Sequence, residues 1–299
     1  MRNGLCVIAG GWSNGPLSDA QYININSTGN AVSSGNLTVA RSWGASAGAS
    51  NRALAMGGYS NASNNTIDYV EFASKGNYVN FGTLSTALDS QQTASTNTRV
   101  VIFGGKGPLQ SGRVSTISSL NPNSRGGNTD FGNLPSVRYN VASAGNATRA
   151  IIAGGETGSG GIFNTIDFFT MSSGGNTSTF GTLSEVRYES RGVASQIRFL
   201  NVGGRTTSGT GRNSVLQVSI ASAGNSTNFG NLSQVTHHPS VGATLTRAVV
   251  ACGTSGTIDV KTISYFTFSS AGNSTNFGDT TTTRTAPYTS SNSHSGLVN

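Results

Sequence analysis

The stretch Ile151-Ile152-Ala153-Gly154-Gly155 decides the fold of this chain, because its pattern recurs at near-constant spacing. Each copy is a short apolar run that ends in two glycines, except that a cysteine replaces the first glycine of the last copy. The first residues of the pairs are Gly10, Gly57, Gly104, Gly154, Gly203 and Cys252. These positions are separated by 47, 47, 50, 49 and 49 residues. A period of this length, built on short apolar runs, is typical of β-propeller blades, so the sequence predicts six blades.

The repeat around Gly154 predicts four strands for each blade. The apolar run 150–153 has no polar alternation, as expected for a strand that is covered on both faces. The strand before it, 141–145, consists of small residues and is predicted to lie innermost, where six blades crowd the axis. A third strand, 164–171, is rich in β-branched and aromatic residues. The outer strand, 177–183, ends in a Phe-Gly-x-Leu element that recurs in most other repeats.

Two short motifs accompany these strands. A Gly-Asn turn precedes the outer strands, and we expect positive backbone φ angles there, which asparagine and glycine tolerate. Its asparagines are Asn30, Asn77, Asn128, Asn176, Asn225 and Asn273. A Thr-Ile-Asp motif marks the third strand and ends at Asp68, Asp167 and Asp259.

The two ends of the chain are predicted to share the first blade. The chain begins with the apolar run 4–8, which matches a second strand, whereas 284–293 aligns with an inner strand. A C-terminal strand that completes the first blade would close the ring and remove an exposed sheet edge. Residues 297–299 are predicted to form a short tail. One all-β domain, 1–299, is thus expected, with these blades: 1–37 plus 284–299, 41–84, 88–134, 138–183, 187–232 and 236–280.

The charge and the cysteine content argue against several classes of protein. The net charge is +7, but the arginines are spread over the repeats instead of forming the basic patch that nucleic-acid binding needs. Cys6 and Cys252 are too few for a disulfide framework and are predicted to be small buried thiols. No stretch approaches about 18 consecutive apolar residues, so no membrane insertion is predicted.

Arginine recurs at two positions of the repeat. The strand arginines lie five residues before the diglycines: Arg52, Arg99, Arg149, Arg198 and Arg247. They are predicted to pair with carbonyl oxygens or with aspartates such as Asp68 and Asp167. The junction arginines lie where one blade leads to the next: Arg41, Arg138, Arg187 and Arg284. The order of the strands predicts that the junction arginines share a face with the loops after the diglycines, and that the strand arginines lie on the opposite face.

The loops after the diglycines vary in length and sequence. Variable loops on a rigid scaffold are the usual place for recognition. The first residues of four loops are therefore candidates for partner binding: Tyr59, Lys106, Glu156 and Arg205. The four junction arginines join this candidate set, because they are expected on the same face.

No catalytic residue, cofactor or metal site is predicted. His237 and His238 align with Arg187 and Tyr188 of the preceding repeat, and adjacent residues of a strand point to opposite faces. The two histidines are therefore not expected to share a metal ion. The sequence also lacks a Gly-x-Ser-x-Gly elbow between a strand and a helix.

The order of these elements resembles kelch repeats: an arginine, a small-residue strand, an apolar strand ending in Gly-Gly, a β-rich strand and an aromatic strand ending near leucine. The kelch arginine after the outer strand matches the junction arginines. Phenylalanine stands where kelch repeats have tryptophan in the outer strand, and Ile-Asp mostly replaces Tyr-Asp in the third strand. The resemblance implies a kelch-like propeller and identifies no partner.

The motif Gly-Asn-x-Thr-x-Phe-Gly-x-Leu, with the other repeat elements, resembles virion structural proteins of tailed phages, particularly those of cyanobacteria. Segments 127–134, 224–232 and 164–167 carry this resemblance. It implies a non-enzymatic protein of the phage tail or tail fibre, on the external surface of the virion and in multiple copies. Other virion proteins and a host-surface glycan would be its partners, in assembly or host attachment.

Two alternatives stay open. One is a cellular or secreted kelch-type interaction module, which appended domains would favour. The other is a carbohydrate-active or oxidative propeller enzyme, which clustered carboxylates or histidines at the mouth of the central channel would favour. The sequence shows neither feature.

Overall fold

The diglycine strands lie second in six four-stranded antiparallel sheets, which the computed structural model arranges in a ring. The structure describes residues 3–49, 51–108 and 112–297. From the innermost strand outward, the blades are β26 (Tyr288–Ser291), β1 (Leu5–Ala9), β2 (Asp19–Asn24) and β3 (Val32–Asn36); β4 (Ala45–Gly48), β5 (Arg52–Met56), β6 (Thr66–Glu71) and β7 (Val79–Thr83); β8 (Gln92–Ser95), β9 (Val100–Phe103), β10 (Thr116–Leu120) and β11 (Thr129–Asn133); β12 (Ala142–Gly145), β13 (Arg149–Ala153), β14 (Thr165–Thr170) and β15 (Ser178–Thr182); β16 (Arg191–Ala194), β17 (Arg198–Val202), β18 (Ser214–Ser219) and β19 (Thr227–Asn231); β20 (Ser240–Ala243), β21 (Arg247–Ala251), β24 (Thr262–Thr267) and β25 (Thr275–Asp279). The all-β, six-bladed propeller predicted from the sequence is confirmed. Within the described ranges no helix is long and apolar enough to cross a bilayer.

The C-terminal strand closes the ring as predicted. Strand β26 pairs antiparallel with β1, so that Tyr288 lies opposite Ala9 and Ser291 opposite Cys6. The six inner strands contact one another in a circle around the axis. The first and last strands therefore complete one blade together, and the sheet edge that either would expose alone is covered.

The hydrophobic core lies between neighbouring blades. In one of its clusters, Phe103 and Ile117 of the third blade pack against Ile152 and Phe169 of the fourth. The rings of Phe103 and Phe169 meet edge to face, with centroids 6.1 Å apart. Each such side chain contributes about 1.5–3 kcal/mol by its burial. The second strand of each blade is covered on both faces, which explains its continuous apolar run.

Each diglycine ends its strand in a backbone conformation that other residues rarely adopt. The φ angles are 58° at Gly57 and 101° at Gly58, and a Cβ at Gly57 would lie 2.6 Å from the carbonyl oxygen of Leu88. Cys252 adopts a φ of 59° at the same position of the last blade, at a cost of roughly 1–2 kcal/mol. We call the face on which these turns lie the upper face. The blade connections lie on it too, and the opposite face is the lower face.

The recurring asparagines join neighbouring blades and do not adopt positive φ angles. All six are described, and none of them lies in the left-handed region. Asn128 Oδ1 accepts the backbone N–H of Ser85 at 2.8 Å, and Asn176 Oδ1 accepts that of Asn133 at 2.9 Å. The same bond recurs at the other four turns. The prediction that these positions need asparagine for a positive φ angle is therefore wrong. Their side chains bind the preceding blade instead.

The strand arginines bind carbonyl oxygens, as predicted, on the lower face. Arg149 Nη1 donates to the carbonyl oxygens of Ile220 and Ala221 in the next blade, at 2.7 and 3.1 Å. Its guanidinium also lies 4.7 Å from the ring centroid of Phe168. The other four members bind carbonyl oxygens in the same way. The predicted aspartate partners are wrong, because Asp68 and Asp167 bind junction arginines instead.

Two sequence assignments near the C-terminus also need correction. Asp259 lies in a short hairpin of β22 (Thr254–Ser255) and β23 (Ile258–Asp259), so the third strand of the last blade begins only at Thr262. The predicted tail is wrong at Leu297, which is buried at the end of a 3-10 turn, η1 (Ser295–Leu297). Residues 298 and 299 lie outside the described residues.

The segment around Ser295 crosses the lower end of the central channel. Ser295 Oγ lies 2.6 Å from the carbonyl oxygen of Gly145 and 3.0 Å from that of Ala194. Gln196 Nε2 donates to the carbonyl oxygen of Ser295 at 2.6 Å. These contacts hold the segment across the lower opening, against the fourth and fifth blades. Access to the channel is therefore favoured from the upper face.

Candidate functional site at the upper mouth of the channel

A closed ring of six backbone hydrogen bonds surrounds the upper mouth of the channel. Each blade connection supplies one residue to this mouth ring: Trp43, Ser90, Asn140, Glu189, His238 and Ala286. The N–H of each residue donates to the carbonyl oxygen of its counterpart in the preceding blade, at 2.5–3.2 Å. All six have φ angles between 48° and 58°, although none is glycine. Strained backbone of this kind costs about 1–3 kcal/mol per residue and concentrates at functional sites.

One side of the mouth ring carries an aromatic cluster. The ring centroids of Trp12 and Trp43 are 5.4 Å apart, and Tyr59 meets Trp43 edge to face at 6.2 Å. All three side chains are half-buried and therefore reach solvent. His238 also meets the Trp43 ring edge to face, with ring centroids 6.1 Å apart. The aromatic cluster is thus continuous with the polar part of the ring.

Next to the aromatic cluster, the ring carries a cluster of two histidines and a carboxylate. Glu189 Oε2 lies 3.2 Å from Nδ1 of His237 and 3.4 Å from Nδ1 of His238, and the two Nδ1 atoms are 3.5 Å apart. Arg205 Nε lies 3.3 Å from the same carboxylate oxygen. Asn140 Nδ2 donates to Glu156 Oε1 at 2.9 Å nearby. Carboxylates and histidines therefore cluster at the channel mouth, which the sequence does not show.

The interpretation of His237 and His238 from the sequence is wrong in two respects. The pairing of His237 with Thr254 corresponds to that of Tyr188 with Arg205, so the two histidines align with Tyr188 and Glu189. His238 also has a φ of 48° in a blade connection and does not belong to a strand. Because the alternation of a strand does not apply there, both imidazoles turn towards Glu189.

Burial and charge set the protonation of this cluster. Burial lowers the pKa of His238 to about 3, although Glu189 opposes the shift, so its imidazole is neutral at pH 7. Burial alone would raise the pKa of Glu189, but its interactions with His237, His238 and Arg205 hold that pKa below the ordinary value. Burial raises the pKa of Glu156, with a contribution from the negative charge of Glu189. The cluster thus combines an ionised carboxylate with at least one neutral imidazole.

The four loop candidates all lie on the upper face, next to the mouth ring. Each pairs with the residue just before the ring position: Tyr59 with Ser42, Lys106 with Asp89, Glu156 with Tyr139, and Arg205 with Tyr188. Lys106 Nζ lies 3.6 Å from Asp89 Oδ1 and 5.7 Å from the ring centroid of Tyr139. The structure brings them together around one opening.

The four junction arginines are buried below this surface. Arg41 Nη1 binds Asp68 at 2.8 Å and its Nη2 donates to the carbonyl oxygen of Ala55 at 3.0 Å. Arg138 binds Asp167 at 3.0 Å, and Arg284 binds Asp19 at 2.6 Å. Arg187 binds Glu185 at 2.7 Å. They lie on the upper face as predicted, but their guanidinium groups are inaccessible, so these contacts give them a structural role.

A cavity of about 110 Å³ lies below the mouth ring, between the inner strands. Hydroxyl groups of Ser46, Thr93 and Ser143 line it together with the side chain of Arg191. Arg191 is buried and donates to the carbonyl oxygen of Ser190 at 3.1 Å, and burial lowers its pKa to about 10. This cation favours an anionic or neutral group in the channel over a cationic one.

Sequence reasoning missed Trp12, Trp43 and Glu189 as site residues. Trp12 is the first residue after Gly11, so it holds the position of the four loop candidates in the first repeat. Aligning the residues that lie two positions after each junction position would have found the mouth ring. Its six residue types share no chemistry. No protein-family model matches the chain, and a search of curated proteins found no match either.

Proposed function

We propose that the protein is a non-enzymatic recognition module of a phage virion, and that it binds its partner at the upper mouth of the propeller. The observation that carries the proposal is the half-exposed aromatic cluster of Trp12, Trp43 and Tyr59 beside charged and amide groups. Tryptophan and tyrosine dominate binding hot spots because each combines a large, rigid apolar face with a polar atom. Such a cluster suits a host-surface glycan, because sugar rings have apolar faces and hydroxyl edges.

The virion setting is supported by the resemblance of the repeats to virion structural proteins of tailed phages. In that setting the protein belongs to the tail or tail fibre, and other virion proteins are its neighbours. Mass spectrometry of purified particles should detect the chain in multiple copies. Its absence from the particles would overturn this setting and favour a cellular kelch-type interaction module.

Binding at the mouth is tested by replacing Trp43 with alanine. The ring tolerates alanine at φ near 50°, as Ala286 shows with a φ of 48°. Loss of a hot-spot residue costs about 2 kcal/mol or more, so the affinity for host-surface polysaccharide should fall at least roughly 30-fold. Ile197→Ala is the matched control, because Ile197 is an apolar residue on the lower face with 68% exposure. Equal binding by wild type and Trp43→Ala would contradict recognition at this mouth.

A carbohydrate-active enzyme is the second candidate function, and one observation favours it. Glu189, His237 and His238 gather at the channel mouth, where an enzyme would place its reactive groups. Wild-type protein would then release reducing ends from the polysaccharide, and Glu189→Gln would not. Binding without release of reducing ends would leave the recognition module as the function.

A further inference from the structure

The three facing atoms of Glu189, His237 and His238 form a nearly equilateral triangle. Its edges are 3.2 Å, 3.4 Å and 3.5 Å, measured between Glu189 Oε2, His237 Nδ1 and His238 Nδ1. Zinc binds imidazole nitrogen at about 2.0–2.1 Å and carboxylate oxygen at about 2.0–2.2 Å, most often with tetrahedral geometry. Tetrahedral bonds of that length separate neighbouring ligand atoms by about 3.3–3.5 Å. The triangle therefore has the dimensions of one face of a zinc coordination tetrahedron.

A second observation concerns the carboxylate oxygen at the centre of this cluster. Glu189 Oε2 is buried, and none of the described nitrogens around it is aligned as a hydrogen-bond donor, although three lie within 3.2–3.4 Å. The neighbouring guanidinium and imidazole groups stabilise the charge of this carboxylate, but its Oε2 accepts no aligned hydrogen bond. The lone pairs of this oxygen can therefore bind a cation.

We propose that Glu189 Oε2, His237 Nδ1 and His238 Nδ1 bind a zinc ion whose fourth coordination position opens towards the channel mouth. Two histidines and one glutamate are a ligand set that zinc uses in sites with an open position for water or a ligand. The proposal does not depend on the recognition function, since the site can hold a metal with or without a glycan.

All six ring positions share one backbone conformation, and the residue types at this junction explain why it combines these ligands. Glu189 and His238 are equivalent ring residues of neighbouring blades, joined by a 2.8 Å hydrogen bond from the N–H of His238 to the carbonyl oxygen of Glu189. Their left-handed φ angles of 56° and 48° bring both side chains to the same place. The other ring positions hold tryptophan, serine, asparagine and alanine, which do not provide this ligand set.

Arg205 supplies the positive charge beside Glu189 in the absence of metal. Its Nη2 lies 2.7 Å from Nε2 of His237, and since a guanidinium only donates, the proton of neutral His237 lies on Nδ1. When zinc binds Nδ1, this proton moves to Nε2 and stays on the imidazole. The Nε2–H group and the guanidinium of Arg205 are then both donors, so Arg205 must leave its present position. The Nε2–H group then donates a hydrogen bond to the carbonyl oxygen of Gly256, which lies 3.4 Å from Nε2, as metal-bound histidines do to carbonyl groups.

Calorimetric titration of metal-free protein with zinc chloride tests the site, with cobalt chloride and visible absorption as a probe of tetrahedral geometry. We expect one ion per chain and an absorption band typical of tetrahedral cobalt. Glu189→Gln and His238→Ala should each weaken binding by more than about 100-fold, because a lost ligand costs more than a lost outer contact. Arg205→Met should strengthen binding by about 10-fold, because the positive charge that repels the zinc ion is removed.

Matched measurements keep the result interpretable. Asp130→Asn, an exposed carboxylate on an outer strand, should bind zinc like the wild type. The melting temperature of each variant without metal shows whether it folds, and only folded variants are compared. Absence of zinc binding by the wild type, or unchanged binding by Glu189→Gln and His238→Ala, would overturn the site. Unchanged binding by Arg205→Met would overturn the displacement of Arg205.

Discussion

The mouth ring and the junction position lie two residues apart in every blade connection, yet they vary in opposite ways. In the mouth ring, six different side chains share one strained backbone conformation and one pattern of hydrogen bonds. At the junction position, the carbonyl oxygen always binds the second residue of a diglycine, but the side chain varies together with its partner. A side chain that changes only together with its contact is constrained by packing. Side chains that change while the backbone stays the same form a surface that is available for function.

The coupling at the junction position is visible in the blades that lack its arginine. Arg41 pairs with Asp68, but the equivalent residues of the third blade are Leu88 and Ser118. The last blade has Thr236 and Ser264 at these positions. In these two blades the arginine and the aspartate are absent together, so neither charge is left unpaired in the interior.

The largest expected effect comes from breaking this pair. Arg41→Leu leaves Asp68 as a buried carboxylate without its cation, and we expect the free energy of unfolding to fall by about 3–5 kcal/mol. Arg41→Leu with Asp68→Ser reproduces the pair that the third blade carries and should recover most of the loss. Urea unfolding of both variants measures the difference. A double variant no more stable than Arg41→Leu would show that the two charges are not coupled.

The same contrast explains what the sequence could predict. The diglycine period gave the blades, because two successive left-handed residues demand glycine almost everywhere. The mouth ring has no such signature, since its left-handed positions hold tryptophan, asparagine and glutamate, which the turn itself does not require. His238 lies as far before Cys252 as Glu189 lies before Gly203, so the spacing to the diglycine aligns the two residues although their side chains differ. Asp259 looked like a third-strand residue because a hairpin repeats the motif. Sites made of side chains that differ between repeats are therefore hidden from reasoning that is based on the repeats.

A smaller effect is expected where the junction arginine uses an accessible partner. Leu216 takes the aspartate position in the fifth blade, and Arg187 binds Glu185 instead, whose side chain is 31% exposed. Burial opposes the ionisation of Glu185, but Arg187 and then Arg212 hold its pKa below the ordinary value. A carboxylate with a lowered folded pKa stabilises fully above its unfolded pKa of about 4.3, and this stability is lost as the pH falls through the folded pKa.

Glu185→Gln should therefore lower the free energy of unfolding by about 1 kcal/mol at pH 7, where solvent weakens the pair. The difference from wild type should shrink as the pH falls below about 4. Urea unfolding at a series of pH values measures it. A difference that is independent of pH would show that packing of Glu185, and not its charge, stabilises the junction.

The smallest effect is expected in the mouth ring itself, at Ala286. This residue is buried with a φ of 48°, so glycine would relieve about 1–2 kcal/mol of backbone strain. Glycine would also lose the burial of one methyl group and increase the freedom of the unfolded chain. Together these two costs are similar in size to the strain that glycine relieves. Ala286→Gly should therefore change the free energy of unfolding by less than about 1 kcal/mol.

Ala53→Gly is the control for this substitution, because Ala53 is a buried strand residue without a positive φ angle. It has no strain to relieve and should lose about 1 kcal/mol or more. If Ala286→Gly lost as much as Ala53→Gly, the ring would not be strained at Ala286. The constant backbone of the mouth would then come from unstrained turns, and the reason to treat its varying side chains as a functional surface would rest on their chemistry alone.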